Sequence, residues 1–264
     1  MHPFLNTAVK AARAAGDIIT QYVDRIDRVK ITEKQQNDFV THVDVASENC
    51  IKDIILKAYP DHAILGEESG LQNTENNSDD NCWIIDPLDG TLNFIHGFPH
   101  FCVSIAMTHK NRLELGVIYD PIRQDLFIAE RGSGAQKNER RIRVSARTKL
   151  EQCVIATGFP KGKQKNPDQF FKYLRYFSAN SSGIRRTGSA ALNLAYIACG
   201  QLDGYWEASL KPWDIAAGAL MIKEAGGLIS DFNGGEDFLT SGNIVCGNPK
   251  IFKQLLQVVG ENPA

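Results

Sequence analysis

Residues 83–94 read Trp-Ile-Ile-Asp-Pro-Leu-Asp-Gly-Thr-Leu-Asn-Phe, which places two carboxylates three positions apart at the end of an apolar run. The run over residues 82–85 predicts a buried β-strand, and we expect Pro87 to end it. Asp86 is then the last residue of the strand, and Asp89 lies in the turn that follows. Two acids at a strand end are well placed to bind a ligand.

The residues around these acids suit both a cation and an anion. Pro87 contributes no backbone N–H, which leaves the carbonyl of Leu88 freer to face a cation. Gly90 lets a ligand approach the main chain closely. If Gly90 and Thr91 begin the next helix, their N–H groups form a small anion cradle. Carboxylates for hard cations beside amides for an anion predict a metal-dependent phosphate site.

The composition excludes several classes of protein. The chain has 264 residues, 43% of them hydrophobic, which is enough for one large domain or two closely associated halves. Its 29 basic and 31 acidic residues give a net charge of −2 and no general basic surface for nucleic acid. The six cysteines form no Cys-x-x-Cys pair, so we expect free thiols in a reducing compartment. Without a signal-peptide pattern or an apolar run of ~18 residues, a cytoplasmic protein with no membrane partner is expected.

Hydrophobic periodicity predicts helices and strands in mixed order. Apolar residues at helical spacing predict a helix over residues 5–22 and a second one after Thr41. Residues 71–81 are polar and predict a surface excursion. From residue 168 onward, predicted helices alternate with predicted strands, which favours a layered α/β or α+β fold. Four β-rich runs predict an antiparallel meander over residues 101–107, 113–119, 126–129 and 154–157.

Two further acids lie where they could complete a metal site. Glu67 follows a short apolar run, and Asp214 lies in the first turn of a predicted helix that Pro212 suits as a start. Taken alone, a carboxylate such as Asp214 at a helix start is more often an ordinary helix-stabilising group than a metal ligand. If both converge with Asp86 and Asp89, four anions crowd one pocket and require cations. Oxygen ligands favour Mg²⁺ or Mn²⁺ over zinc, and two such ions stabilise the attacking and leaving oxygens of an in-line displacement.

Other metal and phosphate motifs do not fit the spacing. An EF-hand needs a glutamate at the end of its loop, where this chain has Gly97. Phosphatases of the haloacid dehalogenase type use Asp-x-Asp-Gly-Thr, and here one more residue separates the two acids. His96 and His100 have helical zinc spacing, but the intervening Pro99 disfavours a helix. Residues 132–134 lack the lysine of a P-loop and predict a turn.

Three motifs in this order resemble the inositol monophosphatase family. Residues 83–94 resemble its first signature, W-x-[I/V]-D-P-[I/L]-D-G-T-x-N-F, and residues 213–218 resemble its second, W-D-x-A-A-G. Residues 66–68, Gly-Glu-Glu, resemble its short acidic motif. The resemblance extends to about residue 259, and residues 1–3, 37–41 and 185–191 resemble the bacterial SuhB-type members in particular. It implies an α+β fold, the layered α-β-α-β-α sandwich of the inositol monophosphatase and fructose-1,6-bisphosphatase-like sugar phosphatases, in a homodimer.

The resemblance also implies the metal ligands, with two to three Mg²⁺ in each site. Glu67, Asp86 and the carbonyl of Leu88 would hold the first ion. Asp86, Asp89 and Asp214 would hold the second, and Glu67 with waters would hold a weaker third. Activity in this family is typically inhibited by lithium.

The substrate contacts are implied in the same way. Thr91, hydrogen-bonded to Asp44, would orient the attacking water, and the amides of Gly90 and Thr91 would hold the phosphate. Glu207 would accept hydrogen bonds from the hydroxyls of the substrate. The residues that would face the inositol ring are Gly188, Ala190 and Glu207.

The implied function is Mg²⁺-dependent hydrolysis of inositol 1-phosphate, or of related polyol or sugar monophosphates, by direct attack of a metal-activated water. We expect one catalytic unit over residues 1–264, with most metal ligands in 1–150 and with Asp214 and Glu207 in 151–264. Two alternatives remain: a binding role in transcription antitermination with the elongation machinery, as for SuhB-type proteins, and a fructose-bisphosphate or phosphoadenosine phosphatase. Since all four carboxylates are present, an active enzyme is favoured.

Overall fold

The first two helices form because apolar residues recur along one face of each. In the computed structural model, which describes residues 3–35, 38–73, 80–159 and 167–260, helix α1 spans Pro3–Thr20 and helix α2 spans His42–Ala58. The Thr41 hydroxyl caps α2 by accepting the N–H group of Val43 at 3.1 Å. Both predicted helices are confirmed.

The larger sheet comes from the first half of the chain. Its eight strands stand in the order β10-β9-β8-β7-β6-β5-β3-β4, and each neighbouring pair is antiparallel except β3 and β5. The predicted meander over the first three β-rich runs is confirmed as β6, β7 and β8. A separate hairpin pairs β1 (Ile31–Gln35) with β2 (Asp38–Thr41). The strands of the larger sheet are β3 (Ala63–Gly66), β4 (Gly70–Gln72), β5 (Asn81–Asp89), β6 (Cys102–His109), β7 (Arg112–Asp120), β8 (Asp125–Glu130), β9 (Gly134–Lys137) and β10 (Arg140–Arg141).

The strand that carries the paired acids is longer than predicted. β5 continues through Pro87 to Asp89, so the expectation that Pro87 ends the strand and that Asp89 follows in a turn is wrong. Proline is tolerated there because the pairing of β5 with β6 shifts register between Asp86 and Asp89, which interrupts the regular ladder. The bulge therefore brings two acids of one strand to the same end of the sheet.

The second sheet lies in the C-terminal half and has the order β12-β11-β13-β15-β14. The run at residues 154–157 forms β11 here, parallel to β12 and β13, so its assignment to the antiparallel meander is wrong. An apolar run predicts a strand but does not specify its partner. The strands are β11 (Val154–Thr157), β12 (Gly183–Arg185), β13 (Gly204–Glu207), β14 (Leu228–Ser230) and β15 (Ile244–Gly247).

Helices and sheets alternate in five layers. Helices α1 and α2 cover one face of the larger sheet, α5 and α6 lie between the two sheets, and α4 and α8 cover the outer face of the smaller sheet. This arrangement confirms the predicted α-β-α-β-α sandwich. The remaining helices are α3 (Thr91–Ile95), α4 (Pro167–Asn180), α5 (Ala190–Ala198), α6 (Pro212–Glu224), α7 (Phe238–Ser241) and α8 (Pro249–Gly260).

Other expectations concern single features of the chain. All six cysteines are free, and Cys102, Cys153 and Cys246 are buried. None of the helices among the described residues has the length and apolarity needed to cross a membrane. The predicted excursion at residues 71–81 and the motif stretches 1–3 and 37–41 lie partly outside the described residues, at 74–79, 1–2 and 37.

Candidate metal and phosphate site

Three acidic side chains meet between the larger sheet and α6. Asp86 and Asp89 lie in the bulge of β5, and Asp214 lies in the first turn of α6, which Pro212 begins. One carboxylate oxygen from each lies within 4.8 Å of the other two. Asp86 and Asp89 are buried, with 1% and 8% of their surface exposed. This spacing allows the three carboxylates to share a cation.

Glu67 joins the cluster from the turn after β3. Its backbone N–H donates to the carbonyl of Ile85 at 3.1 Å, which ties this turn to the neighbouring parallel strand β5. The side chains of Glu67 and Asp86 lie within hydrogen-bond reach of each other, so the charge of Glu67 acts directly on Asp86. The structure thus brings together the four side chains for which a metal role was predicted.

The electrostatics of the cluster favour a bound cation. Burial above all, and then the negative charges of Glu67, Asp89 and Asp214, raise the pKa of Asp86 well above its ordinary value. Divalent cations relieve such repulsion because they bind the deprotonated carboxylates. All the side-chain donors of the cluster are oxygens, a set that fits Mg²⁺ or Mn²⁺.

The start of α5 holds Asp89 in place. Its Oδ2 atom accepts the Ser189 hydroxyl at 2.5 Å and the Ala191 N–H at 2.7 Å, so a cation would bind through Oδ1. The Cys102 thiol lies 3.9 Å from Oδ2. Sequence reasoning did not identify Ser189 as a site residue, because this contact joins residues 100 positions apart. The only local signal is a serine before an Ala-rich helix, which also reads as a plain helix cap.

Gly90 and Thr91 lie directly after the bulge. Gly90 has a φ of 98°, which favours glycine. The Thr91 hydroxyl lies 2.9 Å from Asp44 Oδ1 and 3.0 Å from the carbonyl oxygen of Leu88. Burial raises the pKa of Asp44, although hydrogen bonds from Thr41 and Thr91 oppose the shift. Since a carbonyl oxygen has two lone pairs, the Leu88 carbonyl can accept from Thr91 and still face a cation.

The residues predicted to face the substrate come from the C-terminal half. Gly188, with a φ of 87°, and Ala190 flank the Ser189 that contacts Asp89. Glu207 ends β13 and accepts a hydrogen bond from the Tyr205 hydroxyl. Burial, and then the negative charge of Glu207, raise the pKa of Tyr205 well above its ordinary value. Asp89 adds to the same shift, so this corner is within electrostatic reach of the acidic cluster. No motif in the sequence identified Tyr205.

Comparisons with known proteins agree with this geometry. A sequence profile described as the inositol monophosphatase family matches residues 1–263. The Pseudomonas aeruginosa protein named Nus factor SuhB is 50% identical over 261 residues, covering 98% of this chain and 96% of that protein.

Two solved structures of bacterial proteins are also similar. Extragenic suppressor protein suhB from Bartonella henselae has a TM-score of 0.95 and 43% identity, covering 99% of this chain and 100% of that chain. Inositol monophosphatase from Anabaena (Nostoc) sp. PCC 7120 has a TM-score of 0.87 and 37% identity, covering 98% of this chain and 96% of that chain. With these similarities over nearly its whole length, the chain belongs to the inositol monophosphatase family.

Proposed function

We propose that this chain is a Mg²⁺-dependent phosphatase that hydrolyses inositol 1-phosphate and related polyol or sugar monophosphates. The main support is the approach of carboxylate oxygens from Asp86, Asp89 and Asp214 to within 4.8 Å of one another. Glu67, within hydrogen-bond reach of Asp86, adds a fourth acid. When bound, two or three Mg²⁺ ions would offset this charge, bind phosphoryl oxygens and lower the pKa of a water molecule.

Thr91 and Asp44 are the groups that would orient the attacking water. Thr91 has a single hydroxyl proton, and when it donates this proton to Asp44 its oxygen lone pairs can accept a hydrogen bond from water. The raised pKa of Asp44 makes it a stronger base than an exposed aspartate. Water held in this way would attack phosphorus directly and pass its proton through Thr91 to Asp44. The bond from phosphorus to the alcohol oxygen would break, that oxygen would take a proton from solvent water, and no side chain would form a covalent intermediate.

The remaining predicted residues would bind the two ends of the substrate. The backbone N–H groups of Gly90 and Thr91 lie at the start of α3 and would hold the phosphate. Gly188 and Ala190 would line the side of the alcohol portion, and Glu207 would accept hydrogen bonds from its hydroxyls. An acceptor carboxylate in this position favours a polyol over an apolar alcohol.

The test is phosphate release from inositol 1-phosphate with and without Mg²⁺. We expect Mg²⁺-dependent turnover by the wild type and a loss of at least about 100-fold in Asp89→Asn, because one metal-ligand charge is removed. Asp53→Asn, at an exposed position on α2, is the matched control and should retain activity. Turnover without Mg²⁺, or full activity of Asp89→Asn, would contradict the metal role. Absence of turnover on every polyol and sugar monophosphate would overturn the proposal that the chain is an enzyme.

A second candidate function is a binding role in transcription antitermination. It is supported by the name Nus factor SuhB of the Pseudomonas aeruginosa relative, and it would place the chain in the cytoplasm. Copurification of transcription-elongation components with both the wild type and Asp89→Asn would separate this role from catalysis. If neither protein retains any of these components, the binding role is wrong.

We also propose a homodimer formed through an aromatic surface patch of Phe159, Phe171 and Arg186. Phe159 and Phe171 are 47% and 57% exposed, and both rings lie near the Phe170 ring, at 5.4 and 5.5 Å between centroids. The Arg186 guanidinium lies 5.3 Å from the Phe159 ring centroid. Exposed aromatic and arginine side chains of this kind are enriched at interfaces. Sedimentation should show a dimer that Phe171→Ser weakens and that Leu71→Ser, at an exposed position on β4, does not.

A further inference from the structure

A chain of hydrogen bonds connects α3 with the end of β13. The Asn93 side-chain amide in α3 donates to the carbonyl of Thr187 at 2.8 Å. The Thr187 hydroxyl donates to Asn193 Oδ1 at 2.8 Å, and the Asn193 side chain is hydrogen-bonded to the Tyr205 hydroxyl. Tyr205 then donates to Glu207 Oε2. The helix that follows the phosphate motif is thereby linked to the acid that would face the alcohol portion.

The direction of each hydrogen bond follows from the donors available. Asn193 uses its carbonyl oxygen to accept from Thr187, so its NH₂ group is the donor to Tyr205. Tyr205 has one hydroxyl proton, and accepting from Asn193 commits this proton to Glu207. Tyr205 is fully buried, so bulk water does not replace either partner. Glu207 is therefore held as a hydrogen-bond acceptor in one orientation.

A glycine just after the neighbouring strand makes room for the same carboxylate. Gly158 directly follows β11, the parallel neighbour of β13. A Cβ atom at Gly158 would lie 2.0 Å from Glu207 Oε1 and 2.1 Å from Oε2. Because the end of a glutamate side chain is flexible, a larger residue at Gly158 would displace the carboxylate and leave the backbone in place. Glu207 is thus positioned by a donor on one side and by a glycine on the other.

We propose that Tyr205 is a positioning residue that sets specificity for the alcohol portion of the substrate by fixing the Glu207 carboxylate toward its hydroxyls. This role rests on the proposed function, in which Glu207 accepts those hydroxyls. A site built to hydrogen-bond a substrate hydroxyl discriminates strongly against an analogue that lacks it. Without the Tyr205 hydroxyl, the carboxylate rotates among several orientations, and the discrimination falls.

The experiment compares two substrates with Mg²⁺ present: inositol 1-phosphate, which offers ring hydroxyls, and phenyl phosphate, which has none. For Tyr205→Phe we expect KM for inositol 1-phosphate to rise about tenfold, with kcat and both constants for phenyl phosphate within about twofold of wild type. Gly158→Ala should raise KM for inositol 1-phosphate in the same selective way, because it displaces Glu207. Tyr173→Phe is the control, because it removes another buried tyrosine hydroxyl, which donates to the Val259 carbonyl at 2.8 Å. It should leave KM and kcat unchanged for both substrates.

Equal losses with both substrates would mean that Tyr205 is only a structural residue, and this overturns the proposal. An unchanged preference in both Tyr205→Phe and Gly158→Ala overturns it as well. If the wild type hydrolyses neither substrate, the proposed function fails by itself, and calorimetry still decides the role of Tyr205. The wild type should then bind inositol 1-phosphate about tenfold more tightly than Tyr205→Phe does, with equal affinities for inorganic phosphate. If the wild type and Tyr205→Phe bind inositol 1-phosphate with equal affinity, or if neither binds it, the positioning role of Tyr205 is overturned.

Discussion

Each aspartate of the acidic cluster has one oxygen engaged by a nearby donor. Asp86 Oδ1 accepts the N–H of Leu88 at 3.0 Å, and Asp214 Oδ2 accepts the N–H of Lys211 at 2.6 Å. Asp89 Oδ2 accepts both the Ser189 hydroxyl and a backbone N–H of α5. These bonds fix the rotation of each carboxylate before a cation arrives, so less ordering is needed on binding.

The clearest test of this pre-ordering is Ser189→Ala. The Ser189 hydroxyl donates to Asp89 and also accepts the N–H of Leu192 at 3.2 Å, which caps α5. We expect the free energy of unfolding to fall by about 1 kcal/mol through loss of the cap. Mg²⁺ affinity should fall about tenfold through loss of the donor to Asp89. The thermal midpoint as a function of Mg²⁺ concentration reports both effects.

Ser189→Thr keeps the hydroxyl and serves as the control, and it should retain most of the Mg²⁺ affinity. If Ser189→Ala and the wild type bind Mg²⁺ equally well, the hydroxyl does not support the metal site.

His100 makes the stability of the protein sensitive to acid. It is 6% exposed, and its Nε2 atom has no hydrogen-bond partner among the described residues. Burial, and then the positive charge of Arg123, lower its pKa to about 4. The unfolded chain takes up this proton near pH ~6.5, so stability should fall as the pH drops from about 6.5 to about 4.

His100→Phe removes this proton uptake and should reduce the loss of stability between pH 7 and 4.5 by about 2 kcal/mol. Urea unfolding at the two pH values measures the difference. His96→Phe, at an exposed position nearby, controls for the loss of a histidine. A wild-type pH dependence in His100→Phe would show that other groups cause the acid sensitivity.

The acids of the cluster could be predicted because each belongs to a short motif with its own local geometry. Ser189 and Gly158 could not, because their roles depend on partners brought close only by the fold. Tyr205 is different, since it lies two positions before Glu207 on β13, and strand alternation places both side chains on one face. Ser189 lies 100 residues from Asp89, and the position of Gly158 against Glu207 depends on the parallel pairing of β11 with β13. No local pattern encodes such contacts.

Among the helices, α6 packs directly against the larger sheet, and this packing places Asp214 beside the acids of β5. Gly116 in β7 permits this approach: a Cβ atom there would lie 2.7 Å from the carbonyl oxygen of Ala217 and 2.9 Å from its Cα. The obstructing atoms belong to the helix backbone, which cannot rotate aside as a side chain can. A methyl group at this position must therefore separate α6 from β7.

Gly116→Ala should lower the free energy of unfolding by about 2 kcal/mol through overpacking. It should also weaken Mg²⁺ binding, because Asp214 moves away with α6. Gly183→Ala in β12 is the control, since a Cβ atom there would meet only the flexible end of Arg185 at 3.2 Å. Denaturant unfolding and Mg²⁺ titration of both variants provide the comparison. Wild-type stability of Gly116→Ala would contradict the close packing of α6 on β7.

The presence of a helix or strand could be predicted more reliably than the neighbours against which it pairs or packs. Periodicity located α1, α2 and the strands of the meander, because burial of one face imposes a repeat on the sequence. The same reasoning assigned β11 to the wrong sheet and ended β5 too early at Pro87. Both errors arise from tertiary structure, since a bulge can accommodate a proline and a strand run does not specify its neighbours.

In the whole molecule, the two faces of the larger sheet are covered by helices from different halves of the chain. Helices α1 and α2 cover one face, whereas α5 and α6, from residues 151–264, cover the other. Apolar side chains of the sheet are buried in the layer with α5 and α6, among them Ile84, Ile118 and Phe127. The described residues of the two halves therefore share one core, and we propose that the halves fold as a single unit.

A fragment of residues 1–150 should consequently fail to fold by itself. It contains every strand of the larger sheet but would expose the face that α5 and α6 cover, and an apolar surface of that kind promotes aggregation. Near-ultraviolet circular dichroism and urea unfolding should show no cooperative transition for the fragment alone. Coexpression with residues 151–264 should restore the transition, because the shared core and the pairing of Asp89 with Ser189 are then complete. A cooperative transition of fragment 1–150 alone would instead establish two independent halves and require the acidic site to form at an interface between them.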